Sequence, residues 1–367
     1  MEVLPVDIDI KTLHNSDHTL WDSYVFKHPE STLYHLSGWK EVIRKTYGHK
    51  GYYLMAVSEG LVRGILPLIH MSHPFWGSKL VSIPFFDMGG VIADNSETAT
   101  LLISRAVMLG DEIGASEILL RHQNAFFDFG KLSLNFDDAK QKKLYYHVQT
   151  HKFRMIMDLP GSPDILMNSF KSKLRSQIRR PMKEGLTSRI GGSELLDDFY
   201  RVFSVNMRDL GSPVHSKELI ENVLVKFRGQ AQIVGVYSGS DPIAVSLVIP
   251  FREILANPWA SSLKAFSKQS PNMLLYFRML EYACEKGLKQ FDFGRSTMNE
   301  GTYKFKEQWG ASPRQLYWYS LSKQKIPLDT VAGPVSPKRA MAEKIWKTLP
   351  LSVANFMGPK IRGHIEL

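Results

Sequence analysis

Two segments of the 367-residue chain, set about 175 residues apart, carry the same succession of elements, and this repetition constrains the fold more than any single motif. The first reads Gly51-Tyr52-Tyr53-Leu54-Met55-Ala56-Val57-Ser58-Glu59-Gly60 and continues through 61–69. The second reads Gln232-Ile233-Val234-Gly235-Val236-Tyr237-Ser238-Gly239 and continues through 240–249. Each is an apolar strand, a Gly-bearing turn and a second strand, the pattern of a β-hairpin. Each follows a helical stretch (36–45 and 216–227) and precedes a helix and a strand (98–113 then 117–121; 274–286 then 290–293). Hairpins recur by chance, but the shared order of elements favours two copies of one α/β unit.

Hydrophobic content of 44% and charged content of 22% supply two ordinary cores. The expected organisation is a first domain at 1–150, a second at 151–322, and a Pro/Lys-rich linker with an amphipathic tail at 323–367. The stretch 128–150 reads as part strand, part connector. In the tail, Trp346, Leu349, Leu351 and Phe356 alternate with Lys344, Lys347, Lys360 and Arg362. That pattern suits a segment covering the body of the protein, the favoured reading, or one lying on a membrane surface. A single cysteine, Cys284, permits no disulfide within one chain and is expected to be buried packing. The N-terminal stretch lacks a secretory pattern, and no run reaches the roughly 20 apolar residues of a membrane span. A cytoplasmic protein is expected, with peripheral contact at the inner membrane face left open. The net charge of +10 calls for an anionic partner or surface.

The histidines form no His-Glu-x-x-His pattern and have no cysteine partners, so no metal is expected. P-loop, Gly-x-Gly-x-x-Gly and Gly-x-Ser-x-Gly signatures are absent. Leu166, Phe170, Leu174 and Ile178 recur every four residues, predicting one amphipathic helix with a basic face of Arg175, Arg179, Arg180 and Lys183, ended or kinked at Pro181. This face suits an anion, tRNA or simple solvation. Without interleaved aromatics it does not read nucleic-acid sequence. The richest stretch is 290–313: a short strand, then Gly294-Arg295-Ser296-Thr297, then Tyr303-Lys304-Phe305-Lys306 and Trp309-Gly310. Loops at strand ends are where α/β proteins place chemistry. Catalytic use of Lys306 requires burial beside aromatics, which strips water from the ammonium and sharpens its field. Trp259, following a strand, is either core or the wall of a groove.

Several blocks resemble the Fem family of aminoacyl-tRNA-dependent peptidyl transferases. They are Trp39 and its flanks, Lys173-Leu174-Arg175-Ser176-Gln177-Ile178-Arg179-Arg180-Pro181, Asp198-Phe199-Tyr200, Pro258-Trp259-Ala260-Ser261, and Phe291 through Gly310. The runs Asn206-Met207-Arg208-Asp209-Leu210-Gly211 and Phe291-Asp292-Phe293-Gly294-Arg295-Ser296-Thr297 look most like the subgroup that accompanies exosortase (PEP-CTERM) and exopolysaccharide clusters. The resemblance covers about residues 10–322 and implies an α/β fold of two tandem GNAT-like domains, each a mixed, mostly antiparallel sheet flanked by helices. It implies acyl transfer from aminoacyl-tRNA or acyl-CoA, with no permanently bound cofactor, to an amine or hydroxyl of a sugar- or lipid-linked envelope precursor. Lys306, matching the lysine of the family's Phe-Lys pair, stabilises the oxyanion in this scheme. Phe305, Tyr303 and Trp259 line the groove, and Arg295, Arg208 and Ser296 contact substrate. The chain departs from the family at Ile43, where a diphosphate-holding lysine is expected, with Lys40 and Arg44 beside it. Arg208 aligns only loosely, the coiled-coil insertion is missing, and so is the Gln/Arg-x-x-Gly-x-Gly/Ala turn of acetyl-CoA enzymes. An acyl-CoA-dependent N-acyltransferase and a non-catalytic scaffold are the competing readings.

Overall fold

The computed structural model describes residues 8–74, 77–125, 144–324 and 337–366. The chain divides into two compact units, one of Met1–Lys152, Gln315–Gly333 and His364–Leu367, the other of Phe153–Arg314 and Pro334–Gly363.

In the first unit the expected hairpin forms from β3 (Leu54–Ser58) and β4 (Leu61–Leu66), turning at Glu59-Gly60 with φ of +51° and +74°. Two positive φ values match the right-handed twist of the flanking strands. The sequence read 61–69 as one strand. Pro67 divides it, because proline has no N–H for a ladder. β4 therefore stays in a four-stranded sheet with β1 (Asp9–Thr12), β3 and β7 (Ile92–Ala93). β5 (Ile69–His73) joins a six-stranded sheet with β2 (Lys50–Gly51), β6 (Gly77–Val81), β8 (Glu117–His122), β9 (Tyr145–Gln149) and β17 (Tyr317–Ser322). The helix α3 (Ser96–Glu112) is capped by Asn95, whose side chain accepts the Thr98 N–H. It buries Leu102, Ile103 and Ala106 against Leu54, Leu66 and Leu120, each large side chain contributing about 1.5–3 kcal/mol.

β17 corrects the expected boundary. Sequence order assigned 315–322 to the second domain, yet this strand lies between β8 and β9, antiparallel to both. Its apolar Tyr319 and Leu321 complete the core under α3. Of 128–150, residues 128–143 lie outside the described residues.

The second unit is built on a seven-stranded sheet, ordered β11 (Leu186–Gly191), β12 (Gln232–Ser238), β13 (Asp241–Phe251), β14 (Ile254–Ser262), β15 (Gln290–Thr297), β10 (Lys152–Asp158) and β16 (Ser312–Gln315). Val234, Val236, Ala244 and Val248 face α5 (Ser172–Lys183) and α8 (Pro271–Glu285). The alternate residue Tyr237 points to the other face, where its hydroxyl donates to Asp198 on α6 (Leu196–Leu210), as strand pleating requires. Cys284 is buried, as its apolar surroundings suggest.

The basic segment is two helices rather than one: α4 (Pro163–Ser169) ends where Phe170 turns to extended backbone, and α5 begins at Ser172. The four-residue apolar period spans the break because Leu166, Phe170, Leu174 and Ile178 all enter one core. α5 also runs past Pro181 to Lys183. A proline in the last turn removes a single hydrogen bond, and this one is buried against the core. The tail forms two helices, Pro337–Thr348 and Leu351–Arg362, in contact with α6.

Candidate functional site

The second unit has a defect built into its sheet. β14 and β15 run parallel and pair at Ile254–Gln290, Leu255–Phe291 and Ala256–Asp292; pairing then stops, although the strands continue to Ser262 and Thr297. Local sequence explains the parting on both sides. On β14, the register with β13 shifts between Leu247 and Ile249, leaving Asn257 and Pro258 in a bulge. Bulges bend a strand away from its neighbour, and Pro258 offers no N–H. On β15, Gly294 takes φ +73°, a conformation that costs other residues about 1 kcal/mol or more.

A buried carboxylate holds that turn. Asp292, 2% exposed, accepts the Gly294 N–H at 2.8 Å and the Arg154 Nε–H at 2.8 Å. The carbonyls beyond the turn are taken by Lys306, which projects from the short helix α9 (Gly301–Glu307). Its Nζ donates to Arg295 O at 2.7 Å and Gly294 O at 3.2 Å. Lys306 is only 7% exposed. An ammonium so buried must be answered by dipoles or charges, and here backbone carbonyls do so. Its aromatic neighbours along the helix fix its place. Tyr303 lies in the hydrophobic core, and Phe305 packs edge-on to Tyr276, ring centroids 5.0 Å apart. Trp309 packs edge-on to Phe170 at 5.5 Å. Tyr303 and Phe305 thus anchor the helix that carries the lysine. Ser296 is 4% exposed, and its Oγ has no hydrogen-bond partner among the described residues.

On the β14 side, Ser246 Oγ lies 2.8 Å from Asn257 Oδ1. Tyr276 bonds the same Asn257, and burial pushes its phenol up to about 12. Asn206 of α6 donates to Ser261 Oγ at 3.0 Å. The Trp259 ring stands 6.0 Å from that of His215, whose burial pushes its pKa well below the usual imidazole range. His215 is therefore neutral at pH 7.

The remaining sequence candidates fall elsewhere. Arg208, on α6 with Asn206, is paired with Asp209 at 2.7 Å. Arg175 closes α4 by donating to Phe170 O at 2.6 Å. Arg180 binds Glu184 and Lys268 O, while Arg179 and Lys183 are exposed. In the first unit Ile43 is wholly buried. Lys40 is turned inward to Leu13 O at 2.9 Å. Ile43 carries no charge, and the Lys40 ammonium is engaged by Leu13 O and lies over the Tyr53 ring. A 3-10 helix, Lys264–Gln269, joins β14 to α8 in place of a Gly-rich turn. Among the described residues no cluster of His, Cys, Asp and Glu could hold a metal ion.

Sequence reasoning passed over Asp292, Arg154, Asn257 and Tyr276. For Asp292 a signal existed: an acid inside an apolar strand, flanked by Phe291 and Phe293. Arg154 lies 138 residues away, and nothing local ties it to that acid.

Residues 168–307 match the family model described as an acetyltransferase (GNAT) domain, a span that includes the parted strands and Lys306. Among solved structures, the chain is similar to FemX at 17% identity, covering 84% of this chain and 96% of that one, with a TM-score of 0.64. It is also similar to L-PGS from Bacillus licheniformis at 13% identity, 90% and 97% coverage and a TM-score of 0.55. A tandem GNAT protein from the clavulanic acid biosynthesis pathway matches at 10% identity, 88% and 100% coverage and a TM-score of 0.53. No curated protein matches the chain by sequence. At these identities the likeness is one of fold. The chain has an α/β fold of two tandem GNAT-like units, each with sheets flanked by helices.

Proposed function

We propose that this protein is an acyl- or aminoacyltransferase whose reacting centre lies where β14 and β15 part. The observation that carries the reading is Lys306: a buried lysine, bonded to the carbonyls of Gly294 and Arg295 just past the last paired rung. Its role follows from the chemistry of acyl transfer. An acceptor amine or hydroxyl attacks the carbonyl carbon of an ester or thioester, and the carbonyl π pair becomes an oxyanion. Collapse re-forms the carbonyl and breaks the bond to the leaving oxygen or sulfur, which takes up the proton lost by the acceptor. A fixed cation in a dry site lowers the energy of the oxyanion without reorganising. Ser296, whose buried hydroxyl has no partner among the described residues, hydrogen-bonds the transferred group, and Trp259 and Arg295 border the acceptor.

The donor is aminoacyl-tRNA or acyl-CoA. The exposed Arg179 and Lys183 suit a tRNA phosphate backbone, and the match of 168–307 to a GNAT domain keeps acyl-CoA as the second reading. The acceptor is an amine or hydroxyl on a sugar- or lipid-linked precursor of the cell envelope or an exopolysaccharide. This finer assignment, with a place beside an exosortase system, rests on the sequence runs 206–211 and 291–297. Inward-turned Lys40 and buried Ile43 argue against a nucleotide-diphosphate muropeptide.

The test is a transfer assay with charged tRNAs and acyl-CoAs as donors and amine-bearing sugar and lipid acceptors, for wild type and Lys306→Met. Turnover with one donor class, lost in the variant, is the expected outcome. Full turnover by Lys306→Met would sink the catalytic assignment. Saturable binding of donors without turnover by the wild type would instead favour a scaffold.

A further inference from the structure

The two terminal helices cover α6 with one side and leave another side bare. In Leu351–Arg362, Ala354 and Gly358 are buried. A Cβ placed on Gly358 would lie 3.1 Å from Val214 Cγ1, so this side is in close contact with the 211–216 connection. The opposite stripe, Val353, Phe356 and Met357, follows helical spacing and is exposed, Phe356 to 67%. Lys360 continues that stripe one turn on, its ammonium 3.9 Å from the centroid of the Phe356 ring. The preceding helix, Pro337–Thr348, is held at Gly211, where a Cβ would meet Glu343 O at 2.7 Å. It exposes Met341 (65%) and Ile345 (53%), one turn apart, with exposed Lys344 between them. Leu210, beside that contact, is 60% exposed. Large apolar side chains left bare on consecutive helices mark a docking surface rather than ordinary surface scatter.

Charge identifies what docks. Residues 337–362 contain six lysines and arginines and one acid, Glu343, and Glu343 is itself paired with Arg339. Apolar side chains bordered by cations, with low overall hydrophobicity, are the composition of a helix that rests in the headgroup region of a bilayer. Among the described residues no helix is long and apolar enough to cross a membrane, so contact through these helices is interfacial. We propose that the helices Pro337–Thr348 and Leu351–Arg362 form a docking surface for an anionic lipid bilayer, with Met341, Ile345, Val353 and Phe356 entering the acyl boundary and Lys344 and Lys360 meeting lipid phosphates. The proposal goes beyond transfer chemistry and stands without it.

The test is flotation of the full chain with vesicles of pure phosphatidylcholine and vesicles containing phosphatidylglycerol, at low and high salt, with light scattering on the lipid-free protein. Binding should be confined to the anionic vesicles and weaken with salt. The exposed-residue variant Ile345→Ser/Phe356→Ser should lower the partition coefficient by about tenfold or more, and Lys344→Glu/Lys360→Glu by a comparable factor. Both variants change exposed positions, so an unaltered melting temperature shows that folding is retained. Three results would overturn the proposal: no binding to anionic vesicles, equal binding by wild type and variants, or lipid-free dimerisation abolished by Ile345→Ser/Phe356→Ser. The last would make the face a contact between two copies. None of these readouts requires turnover, so failure here is distinguishable from failure of the transferase reading.

Discussion

The two units treat the same structural opening in opposite ways. Each has a parallel strand pair, β6 with β8 in the first and β14 with β15 in the second, paired over three rungs. In the first unit the seam continues past the last rung: Ser82 N–H donates to Leu119 O, Ser82 Oγ accepts the Arg121 N–H, and the N–H groups of Gly89 and Gly90 bond Arg121 O. The loop that makes this closure contains Ile83 at φ +53° and Phe85 at +76°, strained values for such side chains. In the second unit the strands part at a bulge and a glycine. In both, a buried cation reaches backbone carbonyls beyond the seam. Arg121 rises from the strand itself to the carbonyls of Phe86 and Glu366. Lys306 comes from a separate helix. The guanidinium closes the first unit, whereas the ammonium stands at the edge of a seam that never closed. Of the two units, only the second keeps its seam open.

Exchanging the two cations for neutral side chains breaks the comparison most directly. Lys306→Met should reduce kcat by about 100- to 1,000-fold with little change in KM. Arg121→Met should leave kcat within about twofold yet lower stability to urea by about 3 kcal/mol, because buried carbonyls lose their donor. Equal kinetic losses in both variants would erase the distinction between the units. Comparable in size is the effect of Asp292→Ala. It removes the acceptor of the Gly294 N–H and strands the Arg154 charge, with an expected cost of about 3–5 kcal/mol in urea titration. A cost under about 1 kcal/mol would mean that the parting of the strands does not depend on this pair.

The third prediction concerns pH. His35 is buried and its Nδ1 accepts the Thr32 N–H, so Nε2 must donate to Gly90 O. Burial lowers its pKa to about 4, and burial followed by the nearby His35 lowers that of His122 to about 3. Both folded-state values lie below the unfolded value near 6.5, so the unfolded chain takes up these protons first. Stability is complete above about pH 6.5 and declines as pH falls toward 4, by about 2 kcal/mol for each histidine at pH 5. Urea unfolding at pH 7 and pH 5 measures the decline, and His35→Gln should remove about half of it while lowering stability at both. The smallest effect is the most discriminating. Ser296→Ala should preserve stability or raise it by about 1 kcal/mol, because it deletes a buried hydroxyl that has no partner among the described residues. It should also raise KM for donor or acceptor. A clear loss of stability would mean that the hydroxyl serves the fold.

What the sequence revealed of this comparison was local. The hairpins were legible because Glu59-Gly60 and Gly239 encode their turns within two residues. The condition set for Lys306, burial among aromatics, could be posed from Tyr303, Phe305 and Trp309 alone, since all lie within one turn of helix and its end. The bulge at Asn257 left no such trace beyond Pro258, and the Asp292–Arg154 pair spans 138 residues. The break between α4 and α5 was hidden because the apolar period runs on across it. The closed seam of the first unit depends on Arg121 meeting a loop whose conformation no pattern announces.

The position of β17 has a consequence for synthesis. The first unit's six-stranded sheet lacks one of its inner strands until residue 322 has left the ribosome, by which time residues 153–314 have already emerged. Until then β8 and β9 present unpaired edges, the kind of surface that recruits other chains. The unit encoded first is thus finished after the seven-stranded sheet of its neighbour is available, reversing the usual N-to-C order of domain maturation. Nascent chains halted near residue 314 should therefore be more prone to aggregate and to chaperone capture than chains halted past 322.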